Sequence, residues 1–297
     1  MTSTILSLQL FPWAAISLAA AMCACAPAYE YDSADVDSFN EKLTICASGS
    51  GRLQRQWISL PETSTVVADI RFFRTTLSVP RNYLDTPFVE CNTNGFGNVE
   101  SITLSAMLPD YVGREQGNVK TDWNDRGPLD FGYVGQDSKE IQIEYISTCL
   151  RDRIDKRKKC QYDAFLRNYS QIVFGKYVDD EFKVQVDPQT ASAILGKNAL
   201  FYSGDSQIMV VVSGSPDDVI ASPDHPGSNG YVVWRTDEGQ TLVSCDFGPS
   251  INNPQCRVVA RLADDVAIRS VFSLPLLGSE SVSAEGIRRF SERLLGK

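Results

Sequence analysis

Residues 140–146 read EIQIEYI, and this stretch decides the fold class. Apolar residues at positions 141, 143 and 145 alternate with polar ones at 140, 142 and 144. A period of two residues is typical of an antiparallel strand with one buried face. Similar runs rich in Val, Ile, Thr and Phe recur along the chain, whereas helical periodicity is scarce. The sequence therefore predicts a mainly β, α+β protein built from antiparallel sheets.

The other predicted strands and two helices surround this stretch. Further strands are predicted at 65–73, 74–79, 101–108, 171–178, 181–186, 207–213, 231–236, 240–244, 257–262 and 267–273. A short helix is expected at 188–195, because an Asp-Pro pair precedes it and is a helix start signal. A C-terminal helix is expected because apolar residues between positions 282 and 295 recur at helical spacing. Ser281 or Ser283 would cap its N-terminus.

A sparse pattern occurs twice in the chain. Each copy has a Gly-Tyr-Val triplet, starting at Gly132 or Gly230, with a proline four residues before it. Each also has two cysteines separated by ten residues. We interpret the copies as two related modules, 29–185 and 186–297, each with a disulfide-closed loop between a strand that enters it and a strand that leaves it. The alternative is chance similarity.

The first 28 residues carry no charged side chain. They are apolar and rich in small residues, and Ala26-Pro27-Ala28 fits the small-x-small cleavage signature of a signal peptide. No Lys or Arg precedes Lys42, so an uncleaved membrane anchor is an alternative. Lipidation at Cys23 or Cys25 is another. We expect residues 1–28 to direct export to the periplasm or cell envelope.

Six cysteines remain after residue 28, and an even number in an exported chain predicts disulfides. Six cysteines allow fifteen connectivities, of which local pairing is the simplest. It gives Cys46–Cys91, Cys149–Cys160 and Cys245–Cys256. A thiolate metal site would need CxxC-like spacing or histidines, and the chain has a single histidine. No metal or cofactor is expected.

The charge of the chain limits its partners. The net charge of −9 would repel nucleic acid and anionic lipid, so membrane association is expected only through the N-terminal segment. One basic cluster lies inside the first cysteine loop. It comprises Arg151, Arg153, Lys156, Arg157, Lys158 and Lys159. We interpret this cluster as a binding site for an acidic partner, for lipid A phosphates or for another anionic polymer, with a solvated loop tip as the alternative.

Candidates for catalysis are few, and none is assigned a catalytic role. His225 lies in a loop without a nucleophile motif beside it. Asp122 and Asp125 flank an aromatic residue, which is the composition of a sugar-binding cleft, but a turn explains them equally well. Residues 90–98 loosely match a calcium loop but begin with Glu and end without the bidentate Glu.

Residues 72–84, FFRTTLSVPRNYL, followed by LPD at 108–110, resemble uncharacterised exported proteobacterial proteins. Some proteins of that kind are similar to periplasmic immunity proteins encoded beside type VI secretion effectors. The export signal, the disulfide-closed loops and the lack of a catalytic set favour a non-enzymatic envelope binding protein that recognises a protein. The resemblance adds a sharper form of this hypothesis, an immunity-type inhibitor of a secreted effector. The alternatives are a secreted carboxylate-dependent hydrolase using Asp122 and Asp125, and a structural component of the envelope.

Overall fold

The structure is a computed structural model that describes residues 44–45, 51–85, 90–91, 99–151, 158–167, 183–196, 208–212, 215–236 and 240–295. All of these residues belong to one compact unit, Lys42–Lys297. Several predictions lie outside the described residues. They are the signal peptide 1–28 with Cys23 and Cys25, the Cys46 end of the first disulfide, the strand 171–178, and Arg153, Lys156 and Arg157.

A sheet of nine described strands forms the centre of the fold. In spatial order it runs β4-β5-β6-β14-β13-β12-β11-β10-β9, and every neighbouring pair is antiparallel. The strands are β4 (Glu90–Cys91), β5 (Val99–Met107), β6 (Glu140–Ser147), β9 (Lys183–Val186), β10 (Ile208–Val212), β11 (Gly230–Thr236), β12 (Thr241–Phe247), β13 (Gln255–Ala263) and β14 (Val266–Ser273). The predicted mainly β, antiparallel architecture is confirmed.

Two smaller sheets complete the strand inventory of the described residues. One contains β1 (Thr44–Ile45), β2 (Val67–Arg71) and β3 (Thr76–Pro80), and the other contains β7 (Cys149–Arg151) and β8 (Lys158–Cys160). The pairing of β1 with β2 is parallel, which is an exception to the antiparallel expectation. Buried Asp265 joins the three-stranded sheet to the β13–β14 turn. Its carboxylate accepts the backbone N–H groups of Arg74 and Thr75. It also accepts the Thr75 hydroxyl at 2.6 Å.

The described helices are α1 (Gly51–Ile58), α2 (162–167), α3 (Pro188–Ile194), α4 (Pro216–Ala221) and α5 (Ala284–Leu294). The predictions of α3 and α5 are confirmed, and Ser283 caps α5 by accepting the Gly286 N–H at 3.0 Å. None of the helices in the described ranges has the length and apolar character needed to cross a bilayer.

The residues that decided the fold class lie at the centre of the core. Ile141, Ile143 and Tyr145 are fully buried on one face of β6. The Tyr145 hydroxyl contacts the Ser291 hydroxyl of α5 at 2.9 Å. The alternating pattern of β6 therefore faces α5, as an amphipathic helix packed on a sheet requires. On the opposite face of the sheet, Tyr162 and Leu166 of α2 pack against a cluster that includes Val211, Val233, Leu242, Val259 and Ala267.

The two proposed modules contribute to the same sheet. Seven residue pairs join β6 of the first segment to β14 of the second, from Ser147 opposite Val266 to Ile141 opposite Phe272. The two copies of the pattern also differ locally. A helix, α2, begins at residue 162, just after Cys160, whereas β13 continues beyond Cys256. The strand expected after Cys160 in the first copy is 171–178, which lies outside the described residues, so that expectation stays a prediction. Common ancestry of the segments stays a prediction.

Candidate binding surface

Both disulfides that fall within the described residues form as predicted. Cys149 lies directly opposite Cys160 in the β7–β8 ribbon, and Cys245 lies opposite Cys256 in β12–β13. The first bridge is half-buried, whereas both cysteines of the second are completely buried inside the large sheet. The same spacing therefore closes a small separate ribbon in one case and a core hairpin in the other.

The basic cluster of the first loop is only partly described. Arg151 lies opposite Lys158, and Leu150 lies opposite Lys159, at the base of the ribbon. Arg153, Lys156 and Arg157 are outside the described residues. The ribbon thus places three of the six cationic residues next to the disulfide, and their role in binding stays a prediction.

The loop closed by the second disulfide supports another loop. The Asn253 side-chain amide donates to the Val134 carbonyl at 3.3 Å, and the Gln136 side-chain amide donates to the Asn252 carbonyl at 2.5 Å. Both contacts join residues 248–254 to the long connection between β5 and β6. We call residues 113–139 the platform loop.

Turns with specific side-chain bonds hold the platform loop in one conformation. Asn118 accepts the Glu115 N–H at 2.7 Å and donates to the Gly113 carbonyl at 3.1 Å. Asp130 accepts the Gly127 N–H at 2.8 Å, and its own N–H donates to the Gly127 carbonyl at 2.9 Å, so residues 127–130 form a closed turn. The end of the loop is also joined to its middle, because the Lys139 N–H donates to the Pro128 carbonyl at 2.9 Å. A long loop is therefore fixed without a strand or a long helix of its own.

Two charged side chains, buried Arg114 and half-buried Glu140, anchor the base of the platform loop. The Arg114 guanidinium donates to the Leu84 carbonyl at 2.9 Å and to the Asp85 carboxylate at 3.0 Å. It also lies 4.5 Å from the centre of the Phe131 ring. At the other end, the Glu140 carboxylate accepts the Gly132 N–H at 2.7 Å. Burial raises the pKa of the Glu140 carboxyl, while the bond from Gly132 opposes that rise.

Three large apolar side chains project from this fixed frame. Trp123 is 67% exposed, Leu129 is 63% exposed and Val134 is 73% exposed. The Arg126 guanidinium lies 3.7 Å from the centre of an indole ring of Trp123 and donates to the Lys120 carbonyl at 3.1 and 3.3 Å. Exposed Trp beside Arg is a common composition of binding hot spots in protein interfaces. The platform loop is the candidate binding surface.

The two acidic candidates for catalysis lie on the platform loop. Asp122 accepts the backbone N–H of Asn124 at 2.9 Å and its side-chain amide at 3.1 Å, and so caps the 3-10 turn Trp123–Asp125. Both Asp122 and Asp125 are exposed. Neither is among the residues that line the three cavities described below. Their described contacts are those of a turn.

Three of the cavities in the described part of the chain are relevant to the candidate residues. His225 is exposed and lines one of about 510 Å³, together with Asp246 and Phe247. The Asp246 carboxylate there is held by Arg257 at 2.8 Å. A second cavity of about 340 Å³ lies between α5 and strands β11 to β13, and a third of about 670 Å³ lies beside α5. Within the described ranges, no group of three or more His, Cys, Asp or Glu side chains could hold a metal ion.

Sequence reasoning missed most of the candidate surface. Trp123 was considered only as a neighbour of two acids and Val134 only as part of the repeated triplet, and Leu129 and Arg126 were not considered. One signal was available: apolar residues scattered without periodicity in a Gly-, Pro- and Asp-rich segment are typical of an exposed loop. Their degree of exposure depends on the packing of the whole fold.

Comparisons with protein-family models, with curated proteins and with solved structures give no match for this chain. The resemblance to exported proteobacterial proteins therefore stays a prediction. The function must be argued from the geometry of the platform loop and from the chemistry of its exposed side chains.

Proposed function

We propose that this chain is an exported, non-enzymatic binding protein of the cell envelope, and that it recognises a protein partner through the platform loop. The observation that carries the proposal is the exposure of Trp123, Leu129 and Val134 on a loop fixed by charged anchors. Two disulfides in the described residues are compatible with export, because such bonds persist in oxidising compartments.

A protein is the partner class that fits these side chains. Trp and Arg are enriched among residues that dominate binding energy, and exposed apolar side chains gain when another surface removes them from water. A loop that is already ordered loses little conformational entropy on binding, so more of the contact energy appears as affinity. The net charge of −9 disfavours a polyanionic partner over the surface as a whole.

The sharper form of the proposal is an immunity-type inhibitor of a secreted effector. Its support is the resemblance of residues 72–84 and 108–110, together with a platform loop that is preorganised in the way tight inhibitors are. In this form the loop would cover the active site or the entry surface of the effector. The identity of the partner decides between this form and a broader envelope-binding role.

The test uses the mature chain beginning at Tyr29 as bait in an extract of its source, followed by affinity measurements with the purified partner. Trp123→Ala should weaken binding by about 30-fold, since hot-spot truncations cost about 2 kcal/mol or more. Its stability should change by no more than about 0.5 kcal/mol because Trp123 is largely exposed. Leu129→Ala should weaken binding less.

The matched control is Ile220→Ala on α4, which removes a partly exposed apolar side chain outside the platform loop. It should leave the affinity unchanged. Equal affinities for the wild type, Trp123→Ala and Leu129→Ala would contradict the proposal. A permanent complex with an envelope scaffold would favour the structural alternative. Hydrolysis of a glycan by the wild type, with loss of this activity in Asp122→Asn, would favour the hydrolase.

A further inference from the structure

A cleft beside α5 has a composition unlike that of the platform loop and shares no lining residue with it. Its volume is about 670 Å³, within the range of about 300 to 1,000 Å³ typical of small-molecule sites. One wall is the turn 109–111, another is the segment 279–281, and the floor is the face of α5 that carries Arg289, Phe290 and Arg293. The cleft is therefore built from three separate parts of the chain.

Two aromatic rings contribute a small apolar surface to this cleft, because Tyr111 is only 6% exposed and Phe290 only 3% exposed. Tyr111 and Phe290 stack with their centroids 4.5 Å apart and their planes only 5° from parallel. The backbone of Tyr111 has φ = 56°, a conformation that non-glycine residues adopt rarely. It is held by the Tyr111 hydroxyl, which donates to the Ser281 carbonyl, and by the Tyr83 hydroxyl, which donates to the Tyr111 carbonyl at 2.9 Å. The surface is thus fixed before any ligand arrives.

The two arginines of the cleft differ in their bonding. They are four residues apart on α5 and so lie on one face of the helix. Arg289 donates to the Glu280 carboxylate at 2.5 Å. The Arg293 guanidinium lies 5.3 Å from the centre of the Phe290 ring and 6.0 Å from that of Tyr111, and no carboxylate of the described residues pairs with it. One cation is neutralised and the other is available above an aromatic surface.

We propose that this cleft binds a small carboxylate with an aromatic or apolar body. The carboxylate would accept hydrogen bonds from the Arg293 guanidinium, whose planar donors match the two oxygens of a carboxyl group. The body would lie against Pro109 and the accessible edges of the Tyr111 and Phe290 rings, which line the cleft. Asp110 is the second carboxylate that lines the cleft, and it is exposed. Its charge opposes an anionic ligand and sets a limit on the affinity.

The experiment titrates the disulfide-intact chain with N-acetyl-L-phenylalanine and follows backbone and arginine side-chain signals by ¹H–¹⁵N NMR. Saturable binding with a dissociation constant of about 1 mM or lower is expected, with shifts concentrated at the cleft. The amide of the same compound has no negative charge and should bind at least about tenfold more weakly, the factor that corresponds to losing one charge-assisted hydrogen bond.

Two substitutions with opposite expected signs test the electrostatic argument. Arg293→Gln should weaken binding of the acid about tenfold and leave binding of the amide unchanged. Asp110→Asn should tighten binding of the acid, because it removes a like charge from the same cleft. Arg288→Gln is the matched control, since Arg288 is on the same helix but lines the other cavity and pairs with Glu285.

Three results would overturn the proposal. They are the absence of saturable binding of the acid, equal affinities for the acid and the amide, and unchanged affinity in Arg293→Gln when its spectrum shows a folded chain. None of these results bears on the platform loop, because the partner-binding test uses different residues. Failure of one proposal therefore leaves the other standing.

Discussion

The two copies of the Gly-Tyr-Val and cysteine pattern have the same spacing but different surroundings. In the second copy, Gly230 begins β11, and the Cys245–Cys256 bridge lies inside the nine-stranded sheet. In the first copy, Gly132 lies in a turn of the platform loop, and the Cys149–Cys160 bridge closes a separate two-stranded ribbon. A disulfide spacing predicts a local hairpin, but the neighbouring strands decide whether that hairpin becomes core or surface.

The glycines of the two triplets show the same difference. Gly132 has φ = +75°, so a side chain there would be strained by the backbone itself. The φ of Gly230 is not in the left-handed region, but a Cβ there would lie 2.2 Å from the Val211 carbonyl oxygen of the neighbouring strand. One glycine is required by a turn and the other by a close approach between strands.

Removal of each disulfide in turn should give the largest difference in stability between the two copies. Both bridges span a sequence separation of 11, so the chain-entropy contribution to stability should be similar, about 3 kcal/mol each. Cys245 and Cys256 are also completely buried, and replacing both by alanine leaves unfilled space in the sheet. We expect the double alanine variant to lose about 4 kcal/mol for the second pair and about 3 kcal/mol for the first.

Chemical denaturation of the two double variants and the wild type checks this difference. The Cys149→Ala, Cys160→Ala variant serves as the matched control, because it opens a loop of the same length outside the large sheet. A larger loss for that variant than for the buried pair would show that burial in the sheet does not distinguish the two hairpins.

Alanine at the two glycines should give the next largest effects. Gly230→Ala forces the β10–β11 backbones apart or bends them, and we expect a loss of about 3 kcal/mol, as for severe overpacking. Gly132→Ala strains a single turn, with an expected loss of about 1 to 2 kcal/mol. Thermal unfolding of both variants measures the difference.

The Gly132 variant should also alter the candidate surface. Its new Cβ would lie 2.4 Å from an Arg126 side-chain nitrogen, and Arg126 stacks on Trp123. Partner affinity should therefore fall in Gly132→Ala and stay unchanged in Gly230→Ala molecules that remain folded. The reverse order of affinities would mean that the platform loop is not the binding surface.

The sequence allowed most of the sheet to be predicted, because a strand buried on one face has alternating apolar and polar residues. The alternation at 140–146 identified β6, and Ser283 with the apolar residues after it identified α5. Three helices of the described residues, α1, α2 and α4, were not predicted. For α4 the signal was present, since Pro216 follows Ser215 and two acidic residues come next. For α2, the sequence analysis placed no element between Cys160 and residue 171, where Tyr162 and Leu166 pack on the sheet.

The candidate sites were much less predictable, because they depend on contacts between distant residues. The turns of the platform loop direct Trp123 outward, and no local sequence pattern indicates that its side chain is exposed. Arg293 is available because Glu280 bonds Arg289 instead, across a separation of nine residues. Residue types suggested acids and a histidine as candidates, whereas the structure shows aromatic and arginine side chains on fixed surfaces.

The anchor of Gly132 provides the smallest and most specific test of the first copy. Glu140 accepts the Gly132 N–H, and burial raises the pKa of its carboxyl above the ordinary value of 4.5. Asp85 raises this pKa further, whereas the Gly132 bond, Ser105 and Arg114 lower it. The folded state therefore binds a proton more tightly than the unfolded state does. This contribution favours folding in acid and is lost as the pH rises through the folded-state pKa.

Glu140→Gln keeps an oxygen that can accept the Gly132 N–H but cannot ionise. The difference between the unfolding free energy of this variant and that of the wild type should therefore increase in favour of the variant as the pH rises from below 4.5 towards neutrality. Denaturation at a series of pH values measures the difference, and the same substitution at exposed Glu100 controls for the loss of one negative charge. Parallel pH profiles for Glu140→Gln and the wild type would show that the buried carboxyl does not carry the pH dependence. The anchor of the platform loop would then be an ordinary hydrogen bond, and its rigidity would rest on Arg114 and the turns.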